Sequence, residues 1–589
     1  MREKYLQAPI RVLFILLVLG LAYTQVLRFP YYSRLSKDNA IRIIPIEGPR
    51  GTIFDKNGVP LVNDRVSFNV AVVYQELRNR EKLIRLLTNL LDVPRKKVED
   101  AVDKSARKPY APVTIVEDIE KDKAFILEEE SFDIRGLVIE TKSVRNYGYG
   151  SVGSHIFGYL SEISERELES LKEYGYRMKD LVGRDGLEKY YDKDLAGVDG
   201  GIQIQVDNRG RQVGVLGYKE PRKGKDLYLT IDLNLQKVCD KALEDKSGAI
   251  MVMDPGTGEV LALSSSPSYD PNIFIKPEGS SERLKLLKDK MRRPLLNRAI
   301  SGAYPPGSIF KIVVASAALQ IKRINTRTHF NCTGTYILGR GRFDCWKELG
   351  HGPQDVVNAI MNSCNVFFYN IGRAVGVDNI ENFAHIFGFG KKTGIDLPDE
   401  VKGVAPGRLW KKLHKKDVWY EGDTVNYAIG QGYVLVTPVQ ILDMTAIIAN
   451  KGSIVKPYIV KRIDTRDLMP AERKPAGLNS GVIKTVREGM YKVVNAEFGT
   501  GKRAKIEGVA IAGKTGTAQN PQGRTHAWFT GFAPFDPSTS LRVNGERSRT
   551  IDNSRICVVV FLEHGGKGGM EPSEIAKDIF EEAKNRGYL

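Results

Sequence analysis

Tyr304-Pro305-Pro306-Gly307-Ser308-Ile309-Phe310-Lys311, running on into Ile312-Val313-Val314-Ala315-Ser316-Ala317-Ala318-Leu319, is the stretch on which the reading of this chain turns. Two prolines and a glycine punctuate the backbone just ahead of apolar residues and good helix formers. That pattern predicts a helix with Ser308 at or near its N-terminus. Lys311 follows three residues on, so hydroxyl and amine share a helix face. A serine is a poor nucleophile until a neighbour takes its proton, and an amine held neutral can do so. The helix end adds free N–H groups and partial positive charge, which favour developing negative charge. Alone, S-x-x-K is equally a helix cap followed by a surface lysine, and the rest of the chain has to decide.

At 589 residues the chain should hold more than one domain. Its 42% hydrophobic and 27% charged content are ordinary for a globular protein. The net charge of +17 is not ordinary and points to an anionic partner such as a membrane or a wall polymer. No C₂H₂ finger or RRM-type aromatic strand is present, so nucleic acid is not expected. Five cysteines, an odd and sparse set, argue against a disulfide framework.

Val12 to Leu27 is almost wholly apolar, with Arg2, Lys4 and Arg11 before it and Arg28 after it. With Ile10 counted in and Arg11 snorkelling, this is long enough to span a bilayer. No A-x-A-like site follows it, which favours a retained anchor over a cleaved signal peptide. Arg34, Lys37 and Arg42 follow the span, so flanking charge does not set its orientation. The expected organisation is a cytoplasmic tail (1–9), a transmembrane anchor (10–28), a mixed α+β pedestal (29–225) and a catalytic domain (226–589). In the pedestal, Ser67 to Val73 reads as a strand, and Arg78 to Leu91 and Glu162 to Tyr174 as helices.

From Asp226 the texture changes. Ala249 to Met253 and Val260 to Leu263 read as strands around a glycine-containing hairpin, and Ala527 to Ala533 and Ile556 to Phe561 as later strands. A last amphipathic helix runs from Ser573 to Lys584. Strands at both ends with helices between them imply an α+β or mixed α/β domain whose sheet the chain termini complete, not a dinucleotide-binding repeat.

Two triplets turn the serine motif into a site. In Ser363-Cys364-Asn365, between helical patterns, the hydroxyl can relay a proton and the carboxamide can bind a substrate amide. In Lys514-Thr515-Gly516-Thr517, after a small-residue strand, the lysine and threonine can bind a carboxylate while Gly516 lets a substrate backbone approach. Each has a decoy, Ser67-Phe68-Asn69 inside a strand and Lys392-Thr393-Gly394 leading into a loop.

S-x-x-K, S-x-N and K-T-G in that order are shared by penicillin-binding proteins and class A β-lactamases. The chain resembles the class B penicillin-binding proteins, in particular the elongation transpeptidases. The likeness extends to Pro49 through Gly58, Gly183 through Glu188, Leu229 through Asp232, Gly430-Gln431-Gly432 and His526 through Pro534. Asp55-Lys56-Asn57-Gly58 departs mildly from the family's usual D-R-N-G. The resemblance implies a serine β-lactamase-like transpeptidase domain on an elongated pedestal. Ser308 would attack the D-Ala-D-Ala carbonyl of a stem peptide, with Lys311 as base, and β-lactams would acylate the same serine. Ser363 would relay a proton to the leaving D-alanine and Asn365 would hold the substrate amide. Lys514 and Thr515 would take the carboxylate, and the N–H groups of Ser308 and Thr517 would form the oxyanion hole. A SEDS-type membrane glycosyltransferase and other wall-elongation proteins are the implied partners. The bulk of the chain would lie on the periplasmic side of the bacterial inner membrane. A hydrolase would need an E-x-x-x-N element, and none lies between Asn365 and Lys514. A septal transpeptidase and an inactive scaffold are the other readings.

Cys332, Cys345, His351 and Cys364 fall within 33 residues, with gaps of 12, 5 and 12. Three soft sulfurs and one imidazole suit a closed tetrahedral Zn²⁺ site, structural because four protein ligands leave no open position. The rival readings are a Cys332–Cys345 disulfide with Cys364 buried, or plain buried thiols. His329 is a possible substitute ligand. Cys239 and Cys557 read as core cysteines. Arg408 to Tyr420 sets Lys411, Lys412, Lys415 and Lys416 among Leu409, Trp410, Leu413 and Trp419. It reads either as a solvated amphipathic segment or as a basic, aromatic surface that meets the membrane or the glycan substrate.

Overall fold

The structure is a computed structural model that describes residues 2–171, 178, 180–207, 212–276, 280–468, 472–521, 523–536 and 554–589. A helix, Arg2–Ala22, continues as a π-helical turn, Tyr23–Leu27. The 19 residues Pro9–Leu27 are long and apolar enough to cross a membrane, and no part of them is buried in the protein.

The rest of the chain forms two compact units. The first comprises Met1–Gly51, Asp64–Arg145 and Ala196–Lys225. It contains an antiparallel sheet of Ile41–Ile46, Gly200–Val206 and Gln212–Lys219. It also has its own core, in which Val70 and Val72 meet Leu83, Ile84 and Leu87 from helix Arg80–Leu91. The second unit takes Thr52–Asn63 and Asn146–Leu195 together with Asp226–Leu589, so one cut at residue 225 does not describe the packing. Ile53 and Phe54 pair in parallel with Leu227 and Tyr228, which pair on their other side with Ile463 and Arg462. The helix expected from Glu162 forms over Glu165–Leu171, and its expected end at 172–174 lies outside the described residues.

The second unit is built on five antiparallel strands: β1 (Gly248–Met253), β2 (Val260–Ser266), β3 (Ala512–Ala518), β4 (His526–Ala533) and β5 (Ile556–Leu562). Their order is β2-β1-β5-β4-β3, so the sheet's first hairpin in the chain lies beside its last strand. Every residue of β1, β4 and β5 is buried. A half-solvated sheet would alternate, and here helices cover both faces. The helices that matter for the site are α1 (Lys311–Gln320), α2 (Val356–Met361), α3 (Asn365–Val375), α4 (Pro438–Ala449), α5 (Ser480–Asn495) and α6 (Glu571–Asn585). α4 packs against β1, β4 and β5, and α6 against β4 and β5. α4 starts with a capping box, Thr437 with Gln440, and carries Pro438 at its first position. α1 is apolar apart from Lys311, Ser316 and the terminal Gln320, and everything from Lys311 to Ala318 is buried. It is a core helix rather than an amphipathic surface one.

Candidate active site

The serine segment forms a 3₁₀ turn, Gly307–Phe310, that leads into α1, so Ser308 sits at the helix start. The turn is fastened to its surroundings by backbone. The Gly307 N–H donates to the Gly430 carbonyl at 3.0 Å. Gly307 has φ +54°, and a Cβ there would lie 2.5 Å from the Thr517 carbonyl oxygen. A Cβ at Gly430, φ +73°, would lie 2.1 Å from the Gly307 oxygen. Only glycine permits both the conformation and the approach. The turn is also held to the sheet by side chains. Trp528 of β4 donates its indole N–H to the Pro305 carbonyl at 3.0 Å, and the Tyr304 ring lies 4.2 Å from that of Phe561 in β5. Ser308 itself is only half-buried, so its hydroxyl is reachable.

The other two motifs meet one turn further in. Lys311 Nζ donates to the Ser363 carbonyl at 2.7 Å, to Asn365 Oδ1 at 2.7 Å and to Ser363 Oγ at 3.3 Å. Lys514 Nζ donates to the same Oγ at 2.9 Å and to the Thr515 carbonyl at 3.0 Å. Two fully buried amines thus converge on one hydroxyl. Burial pulls the Lys311 amine down to about 8, opposed by the nearby Cys364 and Cys345. Burial also pulls Lys514 well below the ordinary lysine range, and the charge of Lys311 adds to the effect. A charged Lys311 uses all three donors on the second motif. A neutral amine has two, and the 3.3 Å contact is the weakest to keep. Releasing it frees a lone pair on Nζ, while Lys514 keeps hold of the Ser363 hydroxyl.

Ser363 occupies the left-handed region at φ +53°, which a non-glycine residue adopts only where its surroundings impose it. Those surroundings are the two lysines and the segment Asp344–Trp346. Asn365 Nδ2 donates to the Asp344 carbonyl at 3.2 Å, and the Trp346 indole N–H to the Asn362 carbonyl at 2.9 Å. The Asn365 amide thus bridges the Lys311 amine and the Asp344 carbonyl, with the Tyr369 hydroxyl beside it donating to that same carbonyl at 3.2 Å. On β3, Thr515 Oγ1 donates to Thr500 Oγ1 at 3.0 Å, and Thr517 is exposed next to the serine turn.

Behind this turn, the ligand atoms of Cys332, Cys345, His351 and Cys364 all lie within 4.8 Å of one another. His351 Nδ1 is 3.6 Å from the sulfurs of both Cys332 and Cys345. The three thiols are free and buried. The hydrogen bond between Cys345 and Cys364 holds the Cys345 thiol far down and pushes the Cys364 thiol up. His329 is exposed, with Nδ1 2.6 Å from the Arg327 carbonyl, outside the cluster.

Residues 248–555 match the penicillin binding protein transpeptidase domain, and residues 45–229 the penicillin-binding protein dimerisation domain. The chain belongs to the penicillin-binding protein transpeptidases. It is 33% identical over 602 residues to the peptidoglycan D,D-transpeptidase MrdA of Salmonella typhimurium, which covers 97% of this chain and 93% of the relative. Among solved structures it resembles PBP2 of Helicobacter pylori in complex with MreC, with a TM-score of 0.78 and 28% identity over 93% of this chain and 99% of that one. It also resembles a chain of a peptidoglycan synthase complex that coordinates polymerization and crosslinking, with a TM-score of 0.75 and 30% identity over 98% and 97% of the two chains.

Within this penicillin-binding protein the two decoy triplets lie elsewhere. Asn69 Oδ1 accepts the Asp118 N–H at 2.9 Å, and Ser67 is buried beside it in the first unit. Thr393 gives its N–H and hydroxyl, and Gly394 its N–H, to the Glu400 carboxylate at 2.6, 2.7 and 3.0 Å. That triplet is a loop clamp. Thr500 and the Asp344 carbonyl escaped the motif reading because their part in the site comes only from packing. No short-range spacing announces them.

Proposed function

We propose that Ser308 is the acylated nucleophile of a peptidoglycan D,D-transpeptidase that cross-links stem peptides during wall elongation. The convergence of Lys311 and Lys514 on Ser363 Oγ, one helical turn from Ser308, carries the reading. Lys311, with an amine near 8, takes the Ser308 proton as the hydroxyl attacks the D-Ala-D-Ala carbonyl. The oxyanion is held by the N–H groups of Ser308 and Thr517, each such donor being worth ~2.7–4 kcal/mol of barrier. Ser363 passes a proton to the leaving D-alanine. The Asn365 amide orients the donor peptide, and Lys514 with Thr515 receives its carboxylate. An amine of a second stem peptide then takes the acyl group, and β-lactams enter by the same acylation step. Fluorescent penicillin should label the wild type and not Ser308→Ala. Equal labelling of both would reject the assignment.

The apolar helix Pro9–Leu27 supports a single-pass protein of the bacterial inner membrane, and the wall substrate, which lies outside that membrane, is the ground for putting the catalytic unit on the periplasmic side. The solved assemblies, one with MreC and one that couples polymerization to crosslinking, support wall-synthesis proteins and a polymerising enzyme as partners; a SEDS-type glycosyltransferase is our reading of the latter. Cys332, Cys345, His351 and Cys364 are suited to a structural Zn²⁺. Tetrahedral Zn–S and Zn–N bonds require S···N separations of about 3.5–3.6 Å, close to those found. Bound there, the ion would pin the turn that carries Ser363 and Asn365. Elemental analysis should find about one zinc per chain; no zinc, together with a mapped Cys332–Cys345 bridge, would refute it.

A further inference from the structure

The segment Arg408–Tyr420 is not used by the chemistry above, and its surface is unusual. In the helix Arg408–Lys415, Leu409 and Leu413 lie one turn apart and are 67% and 64% exposed. Beside them, none of Lys412, Lys415 and Lys416 has an acidic partner among the described residues. Like charges within two turns repel one another, and exposed leucines cost solubility, unless something covers them.

The exposure does not come from a loose helix. Lys411 is buried, and its ammonium pairs with Asp423 at 2.7 Å and Asp417 at 3.0 Å, fixing the helix to its neighbour. Trp410 stacks on His414 with centroids 4.9 Å apart and leans on Tyr433 at 5.5 Å. Lys415 Nζ lies 5.7 Å over the same Tyr433 ring. The result is a surface of aromatic faces, apolar side chains and cations without acidic partners among the described residues. It is tied to the nucleophile turn through its own backbone. Tyr433 follows Gly430, whose carbonyl accepts the Gly307 N–H, and Tyr427 stacks on Phe310 at 4.9 Å.

We propose that this surface docks the peptide-bearing glycan strand, taking stem-peptide carboxylates on Lys412, Lys415 and Lys416 and apolar sugar or side-chain faces on Leu409, Leu413 and Trp410, while one stem reaches Ser308. The inference rests on the transpeptidase reading. Charge complementarity selects the occupant: the substrate polymer is a polyanion, and the patch belongs to the unit that must hold it.

The test uses the full chain in detergent, with soluble uncross-linked glycan strands bearing pentapeptide stems as probe. The triple variant Lys412→Glu, Lys415→Glu, Lys416→Glu should raise the Kd for strands about tenfold or more and flatten its salt dependence. Leu409→Ser with Leu413→Ser should weaken binding at every salt concentration. Acylation by fluorescent penicillin should stay within about twofold of wild type in both variants, because none of the substituted side chains is a partner of Lys311, Ser363 or Lys514. Strand affinity unchanged in both variants overturns the proposal. So does a loss confined to binding of phosphatidylglycerol vesicles, which would make the patch a membrane contact, and so does a parallel fall in acylation, which would make it structural. A wild type that penicillin does not acylate would count against the transpeptidase reading instead.

Discussion

Lys514-Thr515-Gly516 and Lys392-Thr393-Gly394 share their letters and have opposite fates. The first lies in β3, at the edge of the sheet, where Lys514 is fully buried and donates to Ser363 Oγ. The second lies in a loop, with Lys392 in solvent and Thr393 and Gly394 spent on Glu400. What separates them is environment. A lysine becomes catalytic equipment when burial and a like charge lower its affinity for the proton and a fixed acceptor aims it. The same triplet in a polar loop becomes part of a carboxylate clamp.

The largest effect should come from emptying each lysine position in turn. Lys514→Ala should slow penicillin acylation by about 10³-fold, some 4 kcal/mol of barrier. Lys392→Ala should leave it within about twofold. Similar losses from both would erase the distinction. The next effect sets the pH at which the comparison is fair. His155 is buried with Nε2 2.8 Å from the Pro294 carbonyl, and burial lowers it to about 4. Because its folded-state affinity for the proton is depressed, the stability it contributes is present above pH ~6.5 and is lost as pH falls through 4, about 3 kcal/mol in all. Thermal unfolding from pH 7 to 4 should show that loss, and His155→Gln should reduce it; a slope identical in both would exclude His155 as its source. The smallest effect concerns the clamp. Glu400→Ala should cost about 2 kcal/mol of stability by orphaning the Thr393 and Gly394 donors, without changing acylation per folded molecule. A parallel fall in acylation would mean that the loop reaches the site after all.

The catalytic unit was legible because its chemistry sits on short, locally marked segments. Prolines and a glycine announce the turn at Ser308, and apolar runs announce β1, β4 and β5. The sequence could not show how these are joined. The approach of Gly430 to Gly307 spans more than 120 residues and is written only in the absence of two Cβ atoms. The left-handed Ser363 is imposed from outside by Lys311, Lys514 and Asp344–Trp346. The division into units escaped for a similar reason. Ile53–Phe54 reads locally like any edge strand, and only its pairing with Leu227 and Tyr228 assigns it to the second unit. The four metal-type ligands were found by residue chemistry, and the fold brings them together, whereas His329, equally near in sequence, is turned outward.

Two buried lysines and a left-handed serine converge one helical turn from Ser308. Peptide mapping after reaction with benzylpenicillin tests that convergence directly. A single penicilloyl adduct on the peptide containing Ser308, formed in the wild type and slowed by about 10³-fold in Lys514→Ala, is the expected result. An adduct on any other residue, or one formed equally fast without Lys514, would contradict it.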